Sequence, residues 1–291
     1  MQERFDAVIL AGYDHNRVQK KPDPLVEESG EPHKVLIKIA GKPMIWHVVN
    51  ALAQSRFVDR IVIVGLRPED GVDFTDIHSA GGVHYLPDQS GMMDNVIYGF
   101  EWLAQRQDQE RYALLLTGDI PLLSGAMIDW FIHACQAQDK DIFWGIVEKQ
   151  TMEATFPNSR RSYLRLVEGQ FCSGDLFLGK ISAALSQQAM FRQMVAHRKS
   201  VVQQLRLLGF SVILRFLFRR LRLPDLLGVV QRALGLTGKP IILPFAEVGM
   251  DVDKPHQLAQ VLAYLAQRPH PATLTEQTNP QTSNQAMDPH A

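Results

Sequence analysis

The chain has 291 residues, of which 46% are hydrophobic and 21% are charged, and its formal net charge at pH 7 is −1. This composition is typical of a globular protein with a sizeable core, and a charge so near zero gives no overall indication of nucleic-acid binding. The first residues lack the pattern of a signal peptide, and no apolar run reaches the ~20 residues of a membrane-spanning helix. Two cysteines, Cys135 and Cys172, are too few for a disulfide framework, so we expect a cytoplasmic protein.

Basic residues are concentrated in one part of the chain. Residues 190–239 contain ten Lys or Arg and one acid, Asp225, whereas the remainder carries 20 basic and 30 acidic residues. Within this part, FSVILRFLFRRLRL (210–223) combines aliphatic and aromatic bulk with arginines. Two interpretations stay open: a helical subdomain with solvated arginines, or a peripheral membrane or lipid-phosphate contact of the kind that interfacial helices make.

The first third of the chain alternates between strand and helix patterns. Residues 5–11, FDAVILA, predict a buried strand, and the polar stretch 13–33 predicts a loop from its composition. Residues 43–55 carry apolar side chains at helical spacing, and Val58–Leu66 predicts the second strand. This order of elements favours a parallel sheet.

The central part continues the alternation. A short strand over Val83–Leu86 precedes a helix that begins near Met92, so Gly91 lies at a helix N-terminus, where anions or base edges can bind. The run 112–117 predicts a strand buried on both faces, and Asp119 follows where that strand ends. The pattern then predicts a helix over about 124–138 and a strand over 142–147.

The last part of the chain departs from this pattern. Residues 162–178 predict two strands joined at Glu168-Gly169, and a late hairpin indicates a mixed sheet with an antiparallel member. The pattern further predicts helical pieces over 181–235 broken at Gly209, Pro224 and Gly228, a strand over 239–248, a helix over Pro255–Gln267 and a disordered tail over 269–291.

Four polar groups lie at strand ends of the same predicted sheet. They are the loop 11–17, Lys34, Asp119, and the pair Asp251 and Asp253. Because ligands of open α/β sheets bind outside the carboxyl ends of the strands, we expect these groups to meet. Cationic side chains beside carboxylates suit a polyanionic, metal-bound substrate, and a nucleoside triphosphate with Mg²⁺ fits that description. Such chemistry needs mainly positioning and charge neutralisation from the protein.

Four segments occur in the order that is typical of one family: DAVILAG (6–12), HKVLIKIAGKPMI (33–45), LLLTGDIPLL (114–123) and MDVDKPHQL (250–258). Over roughly residues 5–180 and 240–267 the chain resembles the MobA-like nucleotidyltransferases, which belong to the sugar-phosphate and cofactor nucleotidyltransferase superfamily. The resemblance implies an α/β fold with a Rossmann-like mixed, mostly parallel sheet of the glycosyltransferase-A type. We expect one domain over residues 1–268, with a basic helical insert at about 181–238.

The resemblance also implies which residues form the site. As catalytic residues it implies Lys34, which would neutralise the triphosphate and its transition state, and Arg17, which matches the arginine that ends the family's first loop. As nucleotide-binding residues it implies Leu10, Ala11, Gly12, Lys34, Gly91 and Asp119. As Mg²⁺ ligands it implies Asp119 and Asp251, with Asp253 as an alternative that could instead cap the last helix.

The implied reaction is attack of a phosphorylated acceptor on the α-phosphorus of a nucleoside triphosphate, with pyrophosphate leaving. Two alternatives stay open: a glycosyltransferase-A-type enzyme that uses a nucleotide-sugar, and a non-catalytic nucleotide-binding module. The sequence departs from the family in two places. Tyr13-Asp14-His15-Asn16 replaces a loop richer in glycine, and Asn95 stands where many relatives have serine.

Overall fold

The computed structural model describes residues 4–12, 23–136, 138–188, 215 and 217–267. In this part of the chain the strands are β1 (Phe5–Leu10), β2 (Lys38–Ile39), β3 (Lys42–Pro43), β4 (Val58–Val64), β5 (Val83–Leu86), β6 (Tyr112–Thr117), β7 (Ile142–Glu148), β8 (Leu164–Leu166), β9 (Gly169–Lys180) and β10 (Gly238–Leu243). The α-helices are α1 (Pro24–Ser29), α2 (Met44–Gln54), α3 (Met92–Ala104), α4 (Gly125–Gln136), α5 (Lys149–Thr155), α6 (Ile181–Ser186), α7 (Leu223–Leu234) and α8 (Pro255–Gln267). Short 3₁₀ turns cover Lys34–Leu36, Pro68–Asp70 and Ala246–Gly249.

One mixed sheet organises the fold. Its strand order is β10-β7-β9-β6-β1-β4-β5, and β8 pairs with β9. The pairs β10–β7, β6–β1, β1–β4 and β4–β5 are parallel, whereas β9 runs antiparallel between β6 and β7. The predicted Rossmann-like, mostly parallel sheet with an antiparallel member is therefore confirmed.

The register of β1 and β6 determines where the chain leaves the sheet. The two strands pair from Asp6 with Ala113 to Leu10 with Thr117, so they end level with each other. Residues 11–12 and 118–119 consequently leave the same edge of the sheet side by side. This is the carboxyl edge, where ligands of open α/β sheets bind.

Both faces of the sheet are covered, which explains the nearly continuous apolar runs of its strands. In β1, Ala7 and Ile9 belong to the larger core cluster, which also contains buried side chains of α2 and α4. The intervening Val8 faces the opposite side, where it packs in a second cluster with Phe100 and Leu103 of α3. Successive residues of a strand point to opposite faces, so a strand that is covered twice needs apolar residues throughout.

Three predicted elements differ in the structure. The stretch 13–33, predicted as a loop, contains α1, because Asp23 accepts a hydrogen bond from Leu25 N at 3.0 Å and Gly30 ends the helix with a φ of 69°. Gly228 does not break a helix but lies inside α7, whose buried side chains hold it to the body of the protein. The last strand ends at Leu243 instead of residue 248 and is followed by a 3₁₀ turn.

Other predictions remain untested by the structure. The predicted break at Gly209 and the predicted disordered tail 269–291 lie outside the described residues. The domain limits of 1–268 and the insert at 181–238 stay predictions. In the part of the chain described here, no helix combines the length and the apolar character needed to cross a bilayer.

Candidate active site

Asp119 is held at the carboxyl edge by the turn that follows β6. Gly118 N donates a hydrogen bond to Leu10 O at 3.0 Å, which joins the ends of β6 and β1. A Cβ atom on Gly118 would lie 3.1 Å from Val35 Cγ1 and 3.0 Å from Ile45 Cδ1. The glycine therefore lets the 3₁₀ turn Lys34–Leu36 pack closely against the end of β6, which brings Lys34 beside Asp119.

Lys34 binds two carboxylates at once. Its Nζ donates to Asp119 Oδ2 at 2.5 Å and to Asp253 Oδ1 at 2.6 Å. The side chains of Lys34 and Asp119 are mostly buried, with 19% and 14% of their surface exposed, whereas Asp253 is 45% exposed. Three groups that the sequence analysis placed in one site are therefore in direct contact.

A backbone contact brings the late acidic segment to the central strand. Val252, which is completely buried, donates from its N–H to Asp119 O at 3.0 Å. Asp253 N in turn donates to Gln257 Oε1 at 3.0 Å, which fixes the segment to the first turn of α8. The hydrogen bond from Val252 explains why residues so late in the chain contribute to a site at the end of β6.

The electrostatics of this cluster keep Lys34 charged. Burial alone would lower the pKa of Lys34, but the negative charges and hydrogen bonds of Asp119 and Asp253 outweigh burial and raise its pKa above the ordinary value. Lys34 thus remains a cation at neutral pH. It is placed to neutralise negative charge at the edge of the sheet.

Two buried polar atoms at the end of β6 have no hydrogen-bond partner among the described residues. They are Asp119 Oδ1 and Thr117 Oγ1. Buried polar groups are nearly always paired in folded proteins, so unpaired ones indicate a place for a ligand, ion or water. A carboxylate oxygen of this kind, beside a second carboxylate, fits a hard cation that prefers oxygen ligands.

The three predicted metal ligands contact two different cationic side chains. Asp253 lies with Asp119 on Lys34, whereas Asp251 is 8% exposed and forms an ion pair with Arg161. Within the described residues, no group of three or more His, Cys, Asp or Glu side chains is arranged to hold a metal ion. Asp119 and Asp253 are therefore the two predicted ligands that lie together, on Lys34, and the metal roles of Asp119, Asp251 and Asp253 stay predictions.

Two residues of the cluster were missed by the sequence analysis. Arg161, in the loop before β8, pairs with Asp251. Asp175, in β9, has its pKa raised to about 6, because it is partly buried and because the charges of Asp119 and Asp253 lie nearby, while Arg161 opposes the shift. The sequence feature that could have identified Asp175 is a charged residue within the mostly apolar stretch FCSGDLFL.

The predicted nucleotide-binding glycines lie at the neighbouring strand ends. A Cβ atom on Gly12 would lie 2.3 Å from Asn95 Nδ2 and 2.5 Å from Asp88 Oδ1, so the backbone at this position passes directly over the start of α3. Asn95 donates to Asp88 Oδ1 at 2.7 Å and accepts from Gln89 N at 2.7 Å. Asn95 thus shapes the turn that leads to Gly91, the residue before α3.

Of the other predicted site residues, the structure describes Leu10 and Ala11 but not Arg17. Ala11 is 3% exposed and its N–H is engaged with Val64 O at 2.8 Å, and Leu10 ends β1. Arg17 and the unusual residues 13–16 lie outside the described residues. The roles of Leu10, Ala11, Gly12, Gly91 and Arg17 in nucleotide binding or catalysis stay predictions.

A lysine in contact with two carboxylates at the carboxyl edge of a mixed sheet is the arrangement that the resemblance to the nucleotidyltransferases implies. The chain belongs to the MobA-like NTP transferase domain family, whose model matches residues 7–221. The resemblance found from the four segments is therefore confirmed, and the predicted enzyme class agrees with this family.

Individual relatives agree with this assignment. A solved structure described as a hypothetical transferase from Thermus thermophilus is 31% identical, with a TM-score of 0.73, and the match covers 88% of this chain and 99% of that one. The bifunctional protein GlmU of Aquifex aeolicus is 30% identical over 121 residues, which are 40% of this chain and 25% of GlmU. The chain thus spans about a quarter of the length of the curated relatives it matches.

More distant structures share the fold alone. One is a CMP:2-keto-3-deoxy-manno-octonic acid synthetase complexed with CTP, which is 14% identical with a TM-score of 0.54. That match covers 92% of this chain and 99% of the synthetase. The agreement at such low identity supports the assignment of the sheet architecture.

Proposed function

We propose that this protein is a Mg²⁺-dependent nucleotidyltransferase that transfers a nucleoside monophosphate group from a nucleoside triphosphate to a phosphorylated acceptor and releases pyrophosphate. The observation that carries the proposal is the contact of Lys34 with both Asp119 and Asp253 at the carboxyl edge, together with the unpaired Oδ1 of Asp119. The family assignment supports transfer from a nucleoside triphosphate in general.

Each residue has a distinct task in the proposed reaction. Asp119 and Asp253 would hold the Mg²⁺ ion, which supplies charge neutralisation at the phosphates when bound. Lys34 would place its positive charge on the triphosphate, where negative charge develops as the bond to the leaving pyrophosphate lengthens. Gly12 and Gly91, which border the same edge, would let the backbone approach the nucleotide.

The proposed binding site for the acceptor is formed by Arg161 and Asp175. Arg161 and Asp175 lie on the β8–β9 side of Asp119, away from the glycines at Gly12 and Gly91. A guanidinium group suits recognition of a phosphate group. We therefore assign Arg161 to the phosphate of the acceptor, whose attack on the α-phosphorus displaces pyrophosphate.

Activity measurements test the lysine directly. Each common ribonucleoside triphosphate is incubated with a panel of sugar phosphates and other phosphate monoesters, and pyrophosphate release is followed with Mg²⁺ or with EDTA. Lys34→Met should reduce turnover about 10²–10³-fold, because a positioned positive charge at the transition state is lost. Lys42→Met is the matched control, because Lys42 pairs with Asp76 at the surface and should tolerate the change.

Binding measurements complete the test without an acceptor. Titration calorimetry should show Mg²⁺-dependent binding of at least one nucleoside triphosphate to the wild type and its loss in Asp119→Asn, which keeps the size of the side chain but removes its charge. Failure to bind any nucleoside triphosphate would refute the proposal. Consumption of a nucleotide-sugar without pyrophosphate release would favour the glycosyltransferase, and tight nucleotide binding with no release for any pair would favour the binding module.

A further inference from the structure

Outside the contacts of Lys34, Asp119 and Asp253, one surface combines exposed apolar side chains with arginines. Among the described residues, three of the four most exposed large hydrophobic side chains are Phe218, Leu217 and Val167, with 71%, 67% and 53% of their surface exposed. Phe218 and Val167 line the same open hollow of about 620 Å³, together with Arg215, Arg220 and Arg222. We call these residues, with Leu217 and Arg219, the arginine hollow.

The arginine hollow is firmly attached to the body of the protein. Leu221, which is 3% exposed, packs against Leu166 of β8 and against Leu226 and Val229 of α7. Val167 N donates to Leu221 O at 2.8 Å, so the segment continues the β8–β9 hairpin by one hydrogen bond. The exposed side chains of Leu217 and Phe218 consequently lie a few residues from this buried anchor.

Positive charge dominates this surface. Arg215 pairs with Asp225, and Glu168 accepts a hydrogen bond from Leu223 N at 3.2 Å, so the two nearby acids are already engaged. In the described part of the chain, the side chains of Arg219 and Arg220 have no carboxylate partner. Guanidinium groups bind phosphate oxygens with two parallel hydrogen bonds, so the hollow is complementary to a phosphate-bearing surface.

We propose that the arginine hollow docks the protein on an anionic lipid bilayer, with the arginines on the lipid phosphates and the side chains of Leu217 and Phe218 inserted among the acyl chains. Arginines alone would suit any polyanion, but the exposed aliphatic and aromatic side chains of Leu217 and Phe218 beside them favour a partner with an apolar interior. The proposal does not depend on nucleotidyl transfer. The hollow adjoins the β8–β9 turn, which projects from the same edge of the sheet as Asp119.

Co-sedimentation with vesicles tests the proposal. The wild-type protein should partition onto vesicles of phosphatidylcholine with phosphatidylglycerol, and less at high salt, but weakly onto phosphatidylcholine alone. The double variant R219E/R220E should bind at least about 30-fold more weakly, since each basic residue near an anionic surface contributes about a fivefold gain in affinity. R67E/R106E is the matched control, because it makes the same charge change at exposed arginines outside the hollow and should bind like the wild type.

A second variant separates insertion from charge. L217S/F218S keeps every arginine and should reduce partitioning onto anionic vesicles severalfold, and thermal melts should show that both variants are folded. The proposal is wrong if the wild type does not prefer anionic vesicles, or if R219E/R220E binds them as well as R67E/R106E does. Binding to nucleic acid without vesicle binding, or self-association that R219E/R220E abolishes, would equally overturn it.

Discussion

Gly65 illustrates how a single residue without a side chain determines the shape of the candidate site. It follows β4 with a φ of 109°, and a Cβ atom at this position would lie 2.2 Å from both Gly12 N and Gly12 Cα. Gly65→Ala should therefore reduce the free energy of unfolding by about 2–4 kcal/mol, because it combines an unfavourable φ with overlap against backbone. Urea unfolding followed by circular dichroism measures this loss.

A second glycine separates the effect of the unfavourable φ from the effect of overlap with backbone atoms. Gly71 has a φ of 75°, but a Cβ atom there would meet nothing within 4 Å. Gly71→Ala should therefore cost only about 1 kcal/mol, the contribution of the backbone conformation alone. Equal losses for the two variants would show that the close approach of Gly65 to Gly12 has no energetic consequence.

Between elements, one buried carboxylate joins α4 to the junction of α2 and β4. Asp129 of α4 accepts from Ser55 Oγ at 2.6 Å, from Arg56 N at 3.1 Å and from Arg56 Nε at 2.8 Å. Asp129→Ala should reduce the free energy of unfolding by about 2–4 kcal/mol, because the buried Ser55 hydroxyl loses the acceptor of its proton and the Arg56 N–H is left unpaired. The urea midpoint measures the loss, and nucleotide binding should persist because the network lies away from Lys34.

An exposed carboxylate provides the comparison for this network. Asp139 also forms an ion pair, with Lys180 at 3.0 Å, but its side chain is 86% exposed. Asp139→Ala should leave the urea midpoint almost unchanged, because solvent screens exposed pairs. If Asp129→Ala had as small an effect as Asp139→Ala, the buried network would not stabilise the contact between the two helices.

Across the whole molecule, the two cysteines report on unfolding. Cys135 of α4 and Cys172 of β9 are 1% and 4% exposed, and burial raises the pKa of Cys135 to about 12 and raises that of Cys172. The thiolate is the reactive form, so neither cysteine should react with a disulfide reagent in the native protein at mildly alkaline pH. Both should react at once in denaturing guanidinium chloride, as absorbance of the released thiolate would show.

Single cysteine variants show which of the two thiols reacts. Cys135→Ala leaves only Cys172 to react, and Cys172→Ala leaves only Cys135. In intermediate urea, both should react with the concentration dependence of global unfolding, because the two residues lie in elements of the same core. Rapid reaction of either thiol in native buffer would mean that its element opens locally, contrary to this expectation.

Much of the fold is determined by local sequence. The strands β5 and β6 and the helix α8 have the predicted bounds, because continuous apolar runs and amphipathic periods are properties of short segments. The helix α1 was missed because its stability depends on the Asp23 cap and the Gly30 terminus within a polar stretch. Helix α7 continues through Gly228 because tertiary packing outweighs the modest penalty of an internal glycine.

For the candidate site, the sequence by itself determined the chemical groups: Lys34, Asp119 and an acidic pair at 251 and 253, each beside a predicted strand or helix end. Only the tertiary structure decided that Asp253 joins Lys34 while Asp251 pairs with Arg161, and that Asp175 lies nearby. The physical reason is distance along the chain. Lys34 is separated from Asp119 by 85 positions and from Asp253 by 219, and such contacts depend on the register and packing of the whole sheet.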